Sequence, residues 1–117
     1  MHSDTEVVPA ATPRDTYAVV RSAILERSTI VAMYAGFRRE LCPWAIGSHQ
    51  GVPRALFYQR GGMTSTGPVT PNSPSNWRCM DLDRLEILEV VRGDWVGPTA
   101  HRRRSGCLDF IDVDLTP

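Results

Sequence analysis

The sequence predicts a small, mainly β (α+β) barrel with one N-terminal helix packed over it. One apolar stripe with helical spacing lies near the start, and five or six short apolar runs separated by Gly, Pro, Asn and Asp turns follow it. At 117 residues the chain has the length of one domain and can bury enough surface to fold on a single core.

The first eleven residues mix Ser, Asp, Thr, Pro and Ala without a period and read as a flexible leader over 1–11. Thr12 offers an N-cap, Pro13 suits the first helical position, and Asp15 gives a partial capping box. Tyr17, Val20, Ala23 and Ile24 then recur on one side of a helix of about four turns, too short to stand alone in water. From Thr29 the pattern becomes β. Ile30 to Tyr34 is one strand, Ala35-Gly36 a turn, and Arg38 to Ile46 a second strand, in which Pro43 demands an edge or a bend. His49-Gln50-Gly51 turns into a third strand over Ala55 to Gln59. Residues 61–76 concentrate Gly, Pro, Ser, Thr and Asn and read as a long mobile loop. Trp77 to Leu82 and Leu85 to Val91 form two further strands about Asp83-Arg84. The segment from Gly93 to Gly106, with the run His101-Arg102-Arg103-Arg104, is irregular. Cys107 to Leu115 closes the fold as a strand whose parity slip at Phe110-Ile111 marks a bulge. The organisation is thus a leader over 1–11, a helix plus barrel over 12–92, and an irregular extension with a final strand over 93–117. No internal repeat is present.

Composition excludes several function classes. With 42% hydrophobic and 22% charged residues the chain is globular, and 13 basic residues balanced by 13 acidic ones argue against coating nucleic acid by bulk charge. All the basic residues are Arg. No apolar run is long enough for a membrane span and the start lacks a signal-peptide core, so a cytoplasmic protein without a membrane partner is expected. Cys42, Cys79 and Cys107 are odd in number and widely spaced, which points to reduced, semi-buried thiols, Cys107 being the quickest to react. No Cys or His pair has the spacing of a structural zinc site, and there is no Gly-rich phosphate loop or serine nucleophile elbow. Asp81 and Asp83 read as solvated or Arg-paired carboxylates. No catalytic residue, metal or cofactor is therefore assigned, and an enzyme is not expected.

Arginines and aromatics remain. Arg38, Arg39, Arg54, Arg78 and Arg84 surround the expected barrel, interleaved with Tyr34, His49, Tyr58 and Trp77. Guanidinium forks supply bidentate contacts to phosphate or carboxylate, and aromatic planes supply stacking surfaces for bases.

The order of these residues resembles a WYL domain. Ala23-Ile24 and Glu26-Arg27 lead to Ile30, Ala32 and Tyr34-Ala35-Gly36, as in that family's first strand. Arg39, Leu41 and Pro43 follow its R-x-V-x-P pattern, His49-Gln50-Gly51 occupies its His position, and Arg78-Cys79-Met80-Asp81-Leu82-Asp83-Arg84-Leu85 is similar to its R-T-F-R-L-D-R-I. The resemblance spans residues 16–92. It implies an SH3-like or Sm-like barrel serving as a sensor module, as in bacterial transcription regulators and defence-associated proteins. The function it implies is non-catalytic regulation through binding a nucleotide, a single-stranded oligonucleotide or another anionic ligand. Tyr34, Arg39, His49 and Arg84 would carry the site: Tyr stacking, Arg giving bidentate contacts, His donating when protonated. Two departures stand out. The tripeptide that names the family falls on Pro53-Arg54-Ala55, and Asp81 replaces an arginine. Either Arg54 or Arg78 compensates, the ligand differs, or binding is lost. No helix-turn-helix precedes the helix, so reading of duplex DNA is not expected. The alternative is a protein–protein interaction module without a small ligand, holding a partner or a second copy by a barrel edge or by the aromatics near Trp44 and Trp77.

Overall fold

A computed structural model describes residues 13–70, 73–92, 95 and 106–115. The leader, the Thr12 cap and the His101 to Arg104 run lie outside the described residues. Helix α1 spans Pro13–Glu26 and buries Val20, Ala23 and Ile24, with Tyr17 partly buried beside them, as the stripe predicts. It ends in a Schellman cap: Arg27 takes φ 55°, its N–H donates to Ile24 O at 3.3 Å, and Ser28 N–H donates to Ala23 O at 2.9 Å.

Strands β1 (Thr29–Tyr34), β2 (Phe37–His49) and β3 (Val52–Thr64) form two successive hairpins. Both turns have positive φ at each central residue, 54° and 84° at Ala35-Gly36 and 52° and 83° at Gln50-Gly51. This is the type I′ pattern that matches strand twist. Strand β4 (Gly67–Pro68) pairs with the end of β3; β5 (Trp77–Asp81), β6 (Glu86–Val91) and β7 (Phe110–Asp114) complete the sheet. A single 3₁₀ turn over Leu82–Arg84 links β5 to β6. The order is β4-β3-β2-β1-β6, with β5 on β3 and β7 on β2. The two long strands exchange partners along their length, so the sheet curls into an antiparallel half-barrel, a mainly β architecture compatible with a small barrel preceded by a helix. Strand β2 pairs with β1 up to Leu41 and with β7 from Ala45. The curled sheet and α1 enclose one core of Ile24, Ile30, Leu41, Ile46, Phe57 and Met80, with smaller residues around them. No helix among the described residues is long and apolar enough to cross a membrane.

Three expectations need correction, and a fourth, at Pro43, resolves to one of its two alternatives. Residues 61–64 are not loop: they continue β3, opposite Arg39 and Glu40 of β2 and Gly67 and Pro68 of β4. Glycines there look like a loop signal, yet they permit close strand approach. A Cβ on Gly62 would overlap the carbonyl oxygen of Arg38. Of the two alternatives at Pro43, an edge or a bend, the strand takes the bend: Pro43 lies in a central strand at a register shift between Pro43 and Ala45. It falls in the gap where β1 has ended and β7 has not begun, so its missing N–H leaves no neighbour unpaired on that side. The bulge of the last strand sits at Asp112, one residue beyond the Phe110-Ile111 parity slip, and the Asp112 carboxylate bonds to Tyr17 of α1. Finally, Cys79 and Cys107 are joined as a disulfide with their Cα atoms 5.7 Å apart, while Cys42 is buried. Spacing of 28 residues in sequence hid a pair that meets because Cys107, ahead of β7, packs on the outer face against Ala45 of β2 and Leu56 of β3, the residue opposite Cys79.

Candidate anion-binding site

The candidate site forms at one end of the core face, where β1, β2, β3 and β5 meet the 3₁₀ turn. Strand parity places Arg39 on the same face as Leu41, opposite Ala32 of β1 and Gly62 of β3. Its side chain is only 6% exposed. Its Nε donates to Tyr34 O at 3.2 Å and its Nη1 to Gln59 Oε1 at 3.2 Å. Gln59, fully buried, is held in turn by its own amide, which donates to Gly61 O at 3.0 Å and to Met63 O at 3.2 Å. These bonds fix the Gln59 carbonyl toward Arg39 and thereby fix the guanidinium.

The aromatic surroundings add to this. The Arg39 guanidinium lies 5.6 Å from the Tyr34 ring centroid and 5.7 Å from that of Phe37, and the Arg84 guanidinium lies 5.6 Å from Tyr34. Tyr34 therefore serves as a platform for two arginines. Base stacking on that ring, the role read from sequence, would have to share it with these two guanidiniums. The Tyr34 hydroxyl accepts from Asp81 N–H at 3.2 Å, tying the ring to the end of β5.

Electrostatics distinguish the site from ordinary surface arginines. Among the described residues Arg39 has no carboxylate within ion-pair distance. Burial, followed by the charge of nearby Arg78, pushes the Arg39 guanidinium below its usual range. Arg78 lies on β5 opposite core residue Phe57, and its Nε is buried without a hydrogen-bond partner among the described residues. Arg84 extends from the 3₁₀ turn and is exposed. The arrangement is a buried cation reinforced by a second arginine and faced by a third at the rim, which favours an anion by Coulomb attraction and by charge-assisted hydrogen bonds.

The other two residues read from sequence stand apart. Arg54 donates from Nε to Asp81 Oδ1 at 2.8 Å, both side chains being 25% exposed. Asp81 is thus partnered by Arg54 and not by the arginines around Tyr34. His49 is not in the cluster at all: ten residues of β2, roughly 30 Å of strand, separate it from Arg39. Its Nδ1 lies 3.8 Å from Asp109 Oδ2, beside the Gln50 N–H that donates to the same oxygen at 2.8 Å. Sequence reading missed Gln59 and Gly62. The Gly-Gly pair following Gln59-Arg60 was the available signal, since close backbone approach is one reason for glycine in a strand.

A second aromatic group occupies the opposite face of the sheet. Trp77 packs edge-on against Trp44 at 5.5 Å and Tyr58 at 5.3 Å, and Trp95 lies 4.6 Å from Trp44 and donates to Pro43 O at 3.0 Å. Ala45, Leu56, Cys107 and Leu108 pack with Trp77 there. Among the described residues no group of His, Cys, Asp and Glu is placed to hold a metal ion. In comparisons with protein-family models, with curated proteins and with solved structures, the chain matches none.

Proposed function

We propose that the protein is a non-catalytic ligand-sensing module that binds a nucleotide, a single-stranded oligonucleotide or another anionic ligand through Arg39, Arg78 and Arg84 around Tyr34. One observation carries the reading: among the described residues, the buried Arg39 guanidinium donates to neutral oxygens and has a second arginine beside it. Burying a charge without a counter-charge is costly, and an anionic ligand would offset that cost. The resemblance to WYL domains supports the same residues, His49 excepted. The neutralisation of Asp81 by Arg54 supports compensation by Arg54, because the carboxylate that replaces an arginine spends its charge away from the cluster.

The test is a titration of the full chain with mononucleotides and short single-stranded oligonucleotides at low and high salt. Arg39→Ala should weaken binding by about 1.5–3 kcal/mol, the range for hydrogen bonds to charged groups. Arg84→Ala, at the exposed rim, should cost about 0.5–1 kcal/mol. Affinity should fall with salt, on a shallow slope set by the few phosphates contacted. Absence of wild-type binding at low salt, or equal affinity in wild type and Arg39→Ala, would remove this pocket and put the protein-interaction alternative first.

A further inference from the structure

The disulfide belongs neither to the proposed anion site nor to the main core. It joins Cys79, in the middle of β5, to Cys107, just ahead of β7. The two ends differ in environment. Cys79 is exposed, whereas Cys107 is 8% exposed and packs with Ala45, Leu56, Trp77 and Leu108. The short Gly106 to Leu108 segment is therefore held down over the outer aromatic face, partly by a covalent bond.

We propose that Cys79 and Cys107 are a reversible thiol–disulfide couple, a clamp that a dithiol opens to release residues 106–108 from Trp77. Cys79, the exposed residue of the pair, is the point of attack. A thiolate of the dithiol bonds to Cys79 Sγ, the bond to Cys107 breaks, and the Cys107 thiolate takes a proton from solvent. The second thiol of the reductant then closes its own disulfide and frees Cys79 as a thiol. Two electrons and two protons pass from the dithiol to the protein.

Each redox form has a place in the fold. Reduced Cys107 has an acceptor already in position, because its Sγ lies 3.9 Å from Ala55 O, a contact that only a thiol can use as a hydrogen bond. Reduced Cys79 stands at an exposed position. The chain beyond the clamp is anchored without it. Asp109 N–H donates to Ser48 O at 3.0 Å, β7 pairs with Ala45 to Ser48, and Leu115 N–H donates to Trp44 O at 3.0 Å. Asp112 is bonded to Tyr17 and Arg21 of α1. Opening the disulfide thus frees a short cap without detaching the strand that follows it. Cys42 takes no part, being buried with Thr29 Oγ1 3.9 Å from its sulfur.

The full chain, equilibrated against mixtures of reduced and oxidised dithiothreitol, tests this by peptide mapping without reductant and by amide hydrogen exchange. The oxidised protein should yield one crosslinked peptide pair, Cys79 with Cys107, which disappears and returns as the mixture is reversed. On reduction the amides of 106–108 should exchange about tenfold faster or more, while those of 110–114 change by less than about twofold. Cys79→Ser and Cys107→Ala should each show the reduced exchange pattern in both conditions. If either variant fails to fold, the wild-type titration decides alone. A crosslink involving Cys42, no crosslink in oxidised dithiothreitol, or loss of β7 protection together with the cap would overturn the proposal.

Discussion

Gly47 offers a sharp test of how the last strand is docked. It lies in β2 between Arg54 of β3 and Ile111 of β7. Its backbone φ is ordinary, so its need for glycine is spatial. A Cβ there would overlap the carbonyl oxygen of Phe110 and stand 3.1 Å from Ile111 Cα. Those atoms are backbone, and no rotamer change relieves the overlap. Gly47→Ala must therefore push β7 outward or detach it. Overpacking relieved by a shift costs about 1–3 kcal/mol. Detachment forfeits a short ladder worth about 1 kcal/mol per hydrogen bond, together with the Asp112 bonds to α1. We expect a loss of about 2–4 kcal/mol, which at roughly 2 cal/mol/K per residue lowers the Tm by about 8–16 °C. Gly51→Ala is the control: a Cβ there meets nothing within 4 Å, but φ is +83°. It should cost about 1–2 kcal/mol for left-handed backbone and leave β7 intact. Thermal and urea unfolding measure the totals, and amide exchange of residues 110–114 shows where the damage falls. A Gly47→Ala protein within about 0.5 kcal/mol of wild type, or one whose β7 amides keep their protection, would refute the docking described for β7.

Further expectations concern the polar framework. Gln59→Leu should destabilise by about 2–3 kcal/mol, because it strips partners from Arg39, Gly61 O and Met63 O in a buried place; urea midpoints measure it. The Tyr17 hydroxyl donates to Asp112 Oδ2 at 2.7 Å and Arg21 Nε donates to the same oxygen at 3.1 Å. The Tyr17 bond, with Arg21 assisting, holds the Asp112 carboxyl below its usual range, so its stabilisation is present at neutral pH and lost as pH falls through that lowered value. Burial, then the Asp112 bond, pushes Tyr17 up from 10.0 to about 12, so its stabilisation is full below pH 10 and lost on rising toward pH 12. Asp112→Asn should cost about 0.5–1 kcal/mol at neutral pH and nothing in strong acid, as urea unfolding at several pH values would show. Asp81→Asn should change binding of a nucleotide by less than about 0.5 kcal/mol, because Arg54 already partners that carboxylate; calorimetric titration showing binding tightened by about 1 kcal/mol or more would contradict the neutralisation.

Much of this architecture is legible in one dimension. The stripe of Tyr17, Val20, Ala23 and Ile24 announces α1 and its buried face, because a helix brings residues three and four apart together. Gly36 and Gly51 mark the two hairpins, since type I′ turns need positive φ and glycine adopts it without strain. Strand parity alone puts Arg39 on the face of Leu41. What lies beyond sequence is whatever depends on which strands meet. Arg39 became a buried cation only because Gln59, Tyr34 and Arg78 arrive from three other strands, and His49 fell away because β2 runs on without turning back. The far end of β3 reads as loop because glycine marks both a turn and a close strand crossing, and only the position of the neighbouring backbone tells them apart. The Cys79 to Cys107 pairing likewise depends on where the segment ahead of β7 packs, on the outer face beside Leu56, which pairs with Cys79. Local spacing determines which face a side chain takes; the long-range closure of the half-barrel decides what it meets there.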